Sequence, residues 1–286
     1  MANLKEIRGR IASVSSTMQI TSAMKMVSAA KLKKAQDAIT AMRPYAEKLT
    51  ELLQGLSATL EGDSGSVYAE QREVRKVLAV VVTSNRGLCG AFNSNVIKES
   101  RQLAAAAYRE KQVDFVTVGK KGDDVLGKLH NVIGNYNHIF DDLTFDGVAL
   151  IADRLMELYR EGTYDKIVLV YNHFKNAGNQ VVRTEQFLPI TPVEGDVELA
   201  TDYIFEPSRE EIVETLIPKS LKTQLYKAIR DSFASEHGAR MTAMHKATDN
   251  ATELRNQLRL TYNKARQAAI TNEILEIVGG AEALNN

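Results

Sequence analysis

The stretch LKEIRGRIASVSSTM, residues 4–18, opens the heptad pattern that decides the architecture of this 286-residue chain. Its apolar residues lie three and four positions apart, and one register continues through Leu4, Ile7, Ile11, Val14, Met18, Leu32, Ala35, Ile39, Met42, Ala46, Leu49, Leu53 and Leu56. Apolar residues sustained at this spacing predict one helix of a coiled coil. At ~1.5 Å per residue that helix would be roughly 80 Å long, with a local kink or bend expected at Pro44.

The apolar seam is interrupted around Met24. Its next positions are polar, at Thr21, Lys25 and Ser28, whereas nearby apolar residues leave the seam, at Ile20, Met24, Met26 and Val27. One interpretation is a locally loose coil. The other is a second partner at residues 20–34, which would contact Met24 and its basic neighbours Lys25, Lys31, Lys33 and Lys34.

The C-terminal region repeats the four-three spacing with smaller side chains, at Leu221, Leu225, Ile229, Ser232, Ala251, Leu254, Leu258, Thr261, Ala265, Ala268 and Leu275. It predicts a helix of roughly 60 to 70 residues, which starts either after Pro218 or at a capping box over 208–211. Because the chain must leave and return, the two terminal helices are expected to pair antiparallel. The last 23 residues, 264–286, are apolar on almost every side, so one partner helix cannot cover them.

Between the terminal helices the pattern changes to that of an α/β domain. Strands are predicted from β-branched runs at 76–82, 113–119, 164–172 and 179–190, and they alternate with helical stretches near 92–110, 120–129 and 145–162. Such alternation indicates a mainly parallel sheet. The predicted organisation is an N-terminal coil helix (1–58), a linker (59–75), the α/β domain (76–192), a second linker (193–208) and a C-terminal coil helix (209–286).

Composition excludes several classes of protein. The 36 basic residues balance the 36 acidic ones, so no general attraction to nucleic acid follows. The charge is nevertheless uneven: residues 1–53 and 219–273 each carry a net charge of +5, and residues 54–218 carry −8. The single cysteine, Cys89, excludes an intrachain disulfide framework. The start MANLKEIRGRI has no apolar segment behind its basic residues, so we expect no signal peptide.

The sequence shows no catalytic constellation. TSNRGLCGAFNSN, residues 83–95, follows the first strand where a phosphate-binding loop would lie, but it matches neither G-x-G-x-x-G nor the P-loop pattern. A tight strand-to-helix turn is the simpler role for Gly87 and Gly90. Cys89 has no histidine in a recognisable relation to it, so we interpret it as a small buried hydrophobe. No cofactor or metal site is predicted.

Five stretches closely resemble the gamma-subunit family of F-type ATP synthases, in the family's order and over its whole length. They are KEIRGRIASVSSTMQITSAMKMVSAAKLKKAQ (5–36), SNRGLCGAFN (84–93), YIFEPS (203–208), ARMTAMHKATDNA (239–251) and YNKARQAAITNEILEIVGGAEA (262–283). The resemblance implies that the α/β domain is Rossmann-like and is inserted between the paired helices. It also implies a non-catalytic central rotor shaft, which turns with a proton-driven ring of c subunits inside alternating alpha and beta subunits.

The resemblance also assigns roles to residues. Beta-subunit contact and coupling are expected at Met24, Lys25, Arg240, Arg266, Gln267, Thr271 and Glu276. A hydrophobic sleeve of alpha and beta chains would enclose Ile270, Ile274, Leu275, Ile277 and Val278. A foot that meets the c-ring, with the epsilon subunit nearby, would include Tyr203, Phe205 and Glu206. The implied location is peripheral, on the cytoplasmic face of a bacterial plasma (inner) membrane.

Two other classes stay open on the residues alone. A coiled coil with basic ends could be a nucleic-acid-binding arm, although its helices have few aromatic residues for base stacking. The middle domain could also be a nucleotide-dependent enzyme that uses SNRGLCG.

Overall fold

A computed structural model of the chain describes residues 4–57, 67–190 and 209–285. Two long helices, α1 (Leu4–Ser57) and α5 (Arg209–Asn285), bracket an α/β region in sequence. That region contains, in chain order, β1 (Lys76–Val82), α2 (Phe92–Gln102) with a π-helical turn (Leu103–Ala107), β2 (Gln112–Val118), α3 (Lys120–Leu126), β3 (Val132–Asn135), a 3-10 turn (Asn137–Phe140), α4 (Phe145–Arg160), β4 (Lys166–Asn176) and β5 (Asn179–Leu188).

The five strands form one sheet in the order β3-β2-β1-β4-β5. β1 is parallel to both β2 and β4, β3 is parallel to β2, and β5 returns antiparallel beside β4. Because parallel strands are covered on both faces, β1 is buried along almost its whole length, as its sequence KVLAVVV predicts.

Alternate side chains of β1 enter two different cores. Leu78, Val80 and Val82 pack with α4 and with the Ile217–Ile229 part of α5. Val77, Ala79 and Val81 pack on the other face with residues of α2 and α3. The α/β layers therefore include the first part of a helix whose sequence reads as coiled coil.

The chain divides into two compact units. The coil unit contains residues 4–28 and 241–285, and the domain unit contains residues 29–240, so far as each is described. In the coil unit, Thr21 meets Thr248 at 2.8 Å between hydroxyl oxygens, and Lys25 Nζ lies 3.4 Å from Nδ1 of His245. From the first of these contacts to the second, the residue number rises by four on α1 and falls by three on α5. The two helices are therefore antiparallel.

The structure confirms the predicted α/β class and the antiparallel helix pair. It also chooses the earlier of the two expected starts for the C-terminal helix: α5 begins at Arg209 and continues through Pro218, as α1 continues through Pro44. One strand was missed, since β3 has only four residues, one of them Gly134. Residues 67–75 of the predicted linker 59–75 belong to the domain unit, where Arg72 donates to the carbonyl of Tyr159.

Candidate functional site

The N-terminus of α3, the helix that follows the second strand, is occupied by other parts of the chain. Main-chain amides at the start of α3 donate to the segment that follows β1: Lys120 to Asn85 Oδ1 (3.0 Å), Lys121 to the Ser84 carbonyl (3.0 Å) and Gly122 to Thr83 Oγ1 (2.8 Å). A helix N-terminus binds an anion through such amides when they are free. These three are not free.

Gly119 makes this close packing possible. Its φ of 114° is open to glycine, and a Cβ there would lie 2.2 Å from the Thr83 carbonyl oxygen. The glycine that opens "GKKGDD" therefore brings two backbone segments together instead of making room for a ligand.

The carboxyl end of β4 is covered as well. Ser235 of α5 donates to the carbonyl of Asn172 at 3.1 Å, and Asn172 in turn donates to the carbonyl of Phe92 at 3.2 Å. Gly238 lets α5 approach the β4–β5 hairpin, since a Cβ on it would lie 3.2 Å from Cα of Ala177. The crevice in which open α/β sheets usually bind ligands is thus occupied by α5.

The surroundings of Cys89 disfavour its thiolate. The thiol is buried, within 3.3 Å of Asn93 Nδ2, and burial raises its pKa. A cysteine nucleophile requires a lowered pKa. Within 4–57, 67–190 and 209–285 no group of His, Cys, Asp and Glu residues has the arrangement of a metal site.

The loop after β1, residues 84–90, is nonetheless an unusual surface. Leu88 has a left-handed φ of 62° and is 65% exposed, which is rare for a large apolar residue. Ser84 Oγ donates to the carbonyl of Arg86 at 2.6 Å, and the Asn93 side chain accepts from the amide of Ser84 at 2.9 Å. These hydrogen bonds fix the backbone of the loop, and the Leu88 side chain is exposed to solvent.

Around Met24 the coil seam is continuous but polar. Thr21 and Ser28 are buried, as their seam positions require. Ile20, Met26 and Val27 are all more than half exposed, and Met24 itself is half-buried. Ile20 and Val27, seven residues apart, thus form an uncovered apolar strip on one side of α1, and Met26 is exposed on another side. A second partner at residues 20–34 stays a prediction.

Arg240 differs from the other predicted contact residues because it is buried. Its guanidinium donates to Glu236 Oε1 at 2.5 Å and to the carbonyls of Arg86 at 3.0 Å and Gly87 at 3.2 Å. From the sequence, the spacing of Glu236 and Arg240 permits an i, i+4 ion pair. The hydrogen bonds from Arg240 to the backbone of Arg86 and Gly87 correspond to no pattern in the sequence.

The end of α5 is exposed from residue 271 to residue 281. Arg266, Gln267, Thr271 and Glu276 lie on this stretch or just before it, and all four are exposed. The five apolar residues of the predicted sleeve are exposed too, at Ile270, Ile274, Leu275, Ile277 and Val278. The predicted foot residues Tyr203, Phe205 and Glu206 lie outside the described residues.

No helix in the described parts of the chain combines the length and the apolar character needed to span a membrane.

Relatives resemble the chain over its full length. It is 77% identical over 286 residues to an ATP synthase gamma chain of Flavobacterium johnsoniae, with all of both chains covered. A gamma chain of a Geobacter species is 47% identical, with 99% of each chain covered.

Solved structures show the same fold. A chain from the central stalk and c-ring of the Tetrahymena thermophila mitochondrial ATP synthase has a TM-score of 0.59 and 27% identity, covering 80% of this chain and 99% of its own. A chain from the Euglena gracilis mitochondrial ATP synthase has a TM-score of 0.74 and 22% identity, covering 98% and 94%. A family model described as ATP synthase matches residues 3–284. With these relatives at up to 77% identity, the chain belongs to the gamma-chain family of ATP synthases.

Proposed function

We propose that this chain is the central rotary shaft of a bacterial proton-translocating F-type ATP synthase. It couples rotation of the c-ring to conformational changes of the catalytic alpha/beta ring, and it performs no chemistry itself. Its partners are the alpha, beta and epsilon subunits and the c-ring, with one copy in each complex. It reaches the cytoplasmic face of the plasma membrane as a peripheral subunit, through the c-ring.

The observation that carries this proposal is the apolar end of α5. Ile274, Leu275 and Ile277 are 55%, 63% and 71% exposed within one helical turn. A contiguous apolar surface of this kind marks an interaction site. Since the residues point to several sides of the helix, the partner must surround it, as an apolar sleeve does.

The strip beside the coil seam supports the same proposal. Ile20 and Val27 offer an uncovered apolar surface on the side of α1 next to Met24, and Lys25, Arg266 and Gln267 provide polar and basic groups in the same coil unit. These residues would contact beta subunits unequally around the helix pair. That inequality is what allows rotation of a shaft to change its neighbours one after another.

The test is Ile274→Lys in the context of the complete complex, with Leu150→Lys as the matched control, because Leu150 is also an exposed apolar residue but lies on α4, outside the proposed sleeve. Both residues are solvent-exposed, so both purified variants should melt like the parent chain. In the complex, the ammonium group introduced by Ile274→Lys would enter an apolar sleeve without a partner, at a penalty of several kcal/mol. We expect Ile274→Lys to abolish co-purification with alpha and beta subunits and Leu150→Lys to retain it. A complex that assembles normally with Ile274→Lys would disprove the buried-end proposal.

A further inference from the structure

Arg240 connects α5 to the loop 84–90 by bonds to that loop's backbone. Its Nη2 donates to the carbonyls of Arg86 and Gly87, and its Nε lies 3.4 Å from the same Gly87 carbonyl. The third nitrogen, Nη1, pairs with Glu236. We call this set of hydrogen bonds from the Arg240 guanidinium the fork. The residue is 8% exposed, and all three of its side-chain nitrogens are bonded inside the domain unit.

The buried ion pair between Glu236 and Arg240 adds little net stability to the fold, because both charges lose their hydration. Burial raises the pKa of the Glu236 carboxyl, although the Arg240 charge opposes that rise. An apolar pair of similar volume would usually serve stability equally well or better. What apolar side chains cannot do is donate hydrogen bonds to two adjacent carbonyls and so fix the path of a loop.

The loop 84–90, to which Arg240 donates, has an unfavourable backbone conformation. Leu88 occupies the left-handed region, which disfavours residues with a Cβ, and Gly90 follows with a φ of 59°. Leu88 and Arg86 both face solvent. The fork bonds the two residues that precede Leu88, so it fixes the direction in which Leu88 points.

We propose that Arg240 is a positioning residue for coupling, which acts from inside the chain rather than by contacting the beta subunit. It fixes the Arg86–Leu88 turn to the last turn of α5 in the domain unit, directly before the helix enters the coil unit at Met241. The exposed turn then moves with this part of α5 as one body. The coupling part of this inference rests on the proposed function, whereas the fixing of the turn does not.

The first experiment uses the purified full-length chain and limited trypsin digestion, with peptides ending at Arg86 quantified by mass spectrometry. The main variant is the double substitution Glu236→Leu/Arg240→Leu, which removes the donors without leaving a buried charge unpaired. Arg240→Lys keeps the charge but not the fork. The matched control is Arg230→Leu, because Arg230 is also on α5 and donates to a different loop carbonyl, that of Leu143.

We expect cleavage after Arg86 to be about tenfold faster in the double variant, since two charge-assisted hydrogen bonds are lost. Arg240→Lys should give an intermediate rate, and Arg230→Leu the parent rate. A cleavage rate at Arg86 that is equal in all four proteins would overturn the proposal, whatever the function of the chain.

The second experiment measures ATP-driven proton pumping and ATP hydrolysis in the same membranes. The double variant should assemble and hydrolyse ATP but pump at least about threefold less per ATP, with partial recovery in Arg240→Lys. Faster cleavage combined with an unchanged pumping ratio would overturn the role in coupling and leave the fixing of the turn. A lower pumping ratio without faster cleavage would show that Arg240 contacts a partner directly, and would also overturn the proposal.

Discussion

His237 is a buried imidazole whose two nitrogens have no hydrogen-bond partner among the described residues. The residue is 5% exposed, and its ring packs edge-on against Phe233 with centroids 4.5 Å apart. The charged groups that act on it are Arg240 of α5 and Lys31 of α1, both cations, while Glu236 is bonded to Arg240. Burial, followed by these two charges, lowers the pKa of His237 to about 3. The ring is therefore neutral in the folded protein near neutral pH.

This residue should make the folded chain sensitive to acid. Above about pH 6.5 the ring is neutral in both states and adds no pH dependence. As the pH falls from about 6.5 towards about 3, only the unfolded state takes up the proton, so the stability falls. At pH 5 the loss should be about 1–2 kcal/mol in the parent and absent in His237→Phe, which keeps the ring contact with Phe233.

The measurement is thermal unfolding of both proteins at pH 7.5 and pH 5. The raised pKa values of Asp231 and Glu236 act in the opposite direction, but they are common to both proteins and cancel in the comparison. His245→Phe is the control, because His245 is exposed. Equal loss of melting temperature in the parent and in His237→Phe would mean that His237 takes up its proton in the folded state.

At the scale of elements, the coil seam is polar where the sequence pattern breaks. Thr21 and Thr248 face each other across the two helices, and each hydroxyl also lies within hydrogen-bond distance of the carbonyl three or four residues earlier on its own helix. Because each hydroxyl has one proton, one of them donates across the pair while the other donates to its own helix. A polar pair at a seam position fixes the register of a coiled coil, at some loss of stability relative to an apolar pair. We expect the Thr21–Thr248 pair to fix the register of α1 against α5.

A double-mutant cycle tests the pair. Each single variant, Thr21→Val or Thr248→Val, should lower amide protection in residues 18–28 and 244–251 about fivefold, because one hydroxyl loses its cross-helix partner. The double variant should recover most of that loss, since two methyl groups then pack together. Thr17→Val is the control, because the exposed Thr17 hydroxyl bonds the carbonyl of Ser13 on its own helix. Additive effects of the two single substitutions would show that the pair is not coupled.

Periodicity predicted the elements that have long apolar patterns and missed those fixed by tertiary contacts. The heptads that begin at Leu4 and the run KVLAVVV specify α1 and β1 through burial alone. β3 has four residues, too few for any period to appear, and it is a strand because β2 lies beside it. α5 continues through Pro218 because Ile217 and Leu221, on either side, are buried in the domain core. Local propensity against helix at Pro218 is thus outweighed by packing.

The sequence predicts some features of the candidate surfaces and not others. Exposure of Ile274 and Leu275 follows from a helix end that is apolar on every side and that the other described elements leave exposed. The buried position of Arg240 does not follow, because its acceptors on the loop are carbonyls, which every residue has. Thr83 and Asn85, which occupy the amides of α3, likewise carry no motif. Their role depends on a φ of 114° at Gly119 and is visible only in three dimensions.

At the scale of the whole molecule, the α/β domain has a nucleotide-binding topology in which two places, the start of α3 and the carboxyl end of β4, are occupied by the chain itself. The amides at the start of α3 are bonded to Thr83, Ser84 and Asn85, and α5 covers the carboxyl end of β4. A phosphate would have to displace bonds that the folded chain already makes, with no P-loop lysine to compensate. We therefore expect neither of these two places to bind a nucleotide.

The purified chain should accordingly neither bind nor hydrolyse ATP. Titration of the chain with a fluorescent ATP analogue should give no saturable signal up to about 1 mM, a concentration at which weak specific sites are already half filled. ATP should also leave its melting temperature unchanged, since only a ligand that binds the folded state stabilises it. The assembled complex is the positive control, because its beta subunits would supply the nucleotide sites. Hydrolysis that scales with the concentration of the partner-free chain, across separate preparations, would contradict the proposal that the chain performs no chemistry itself.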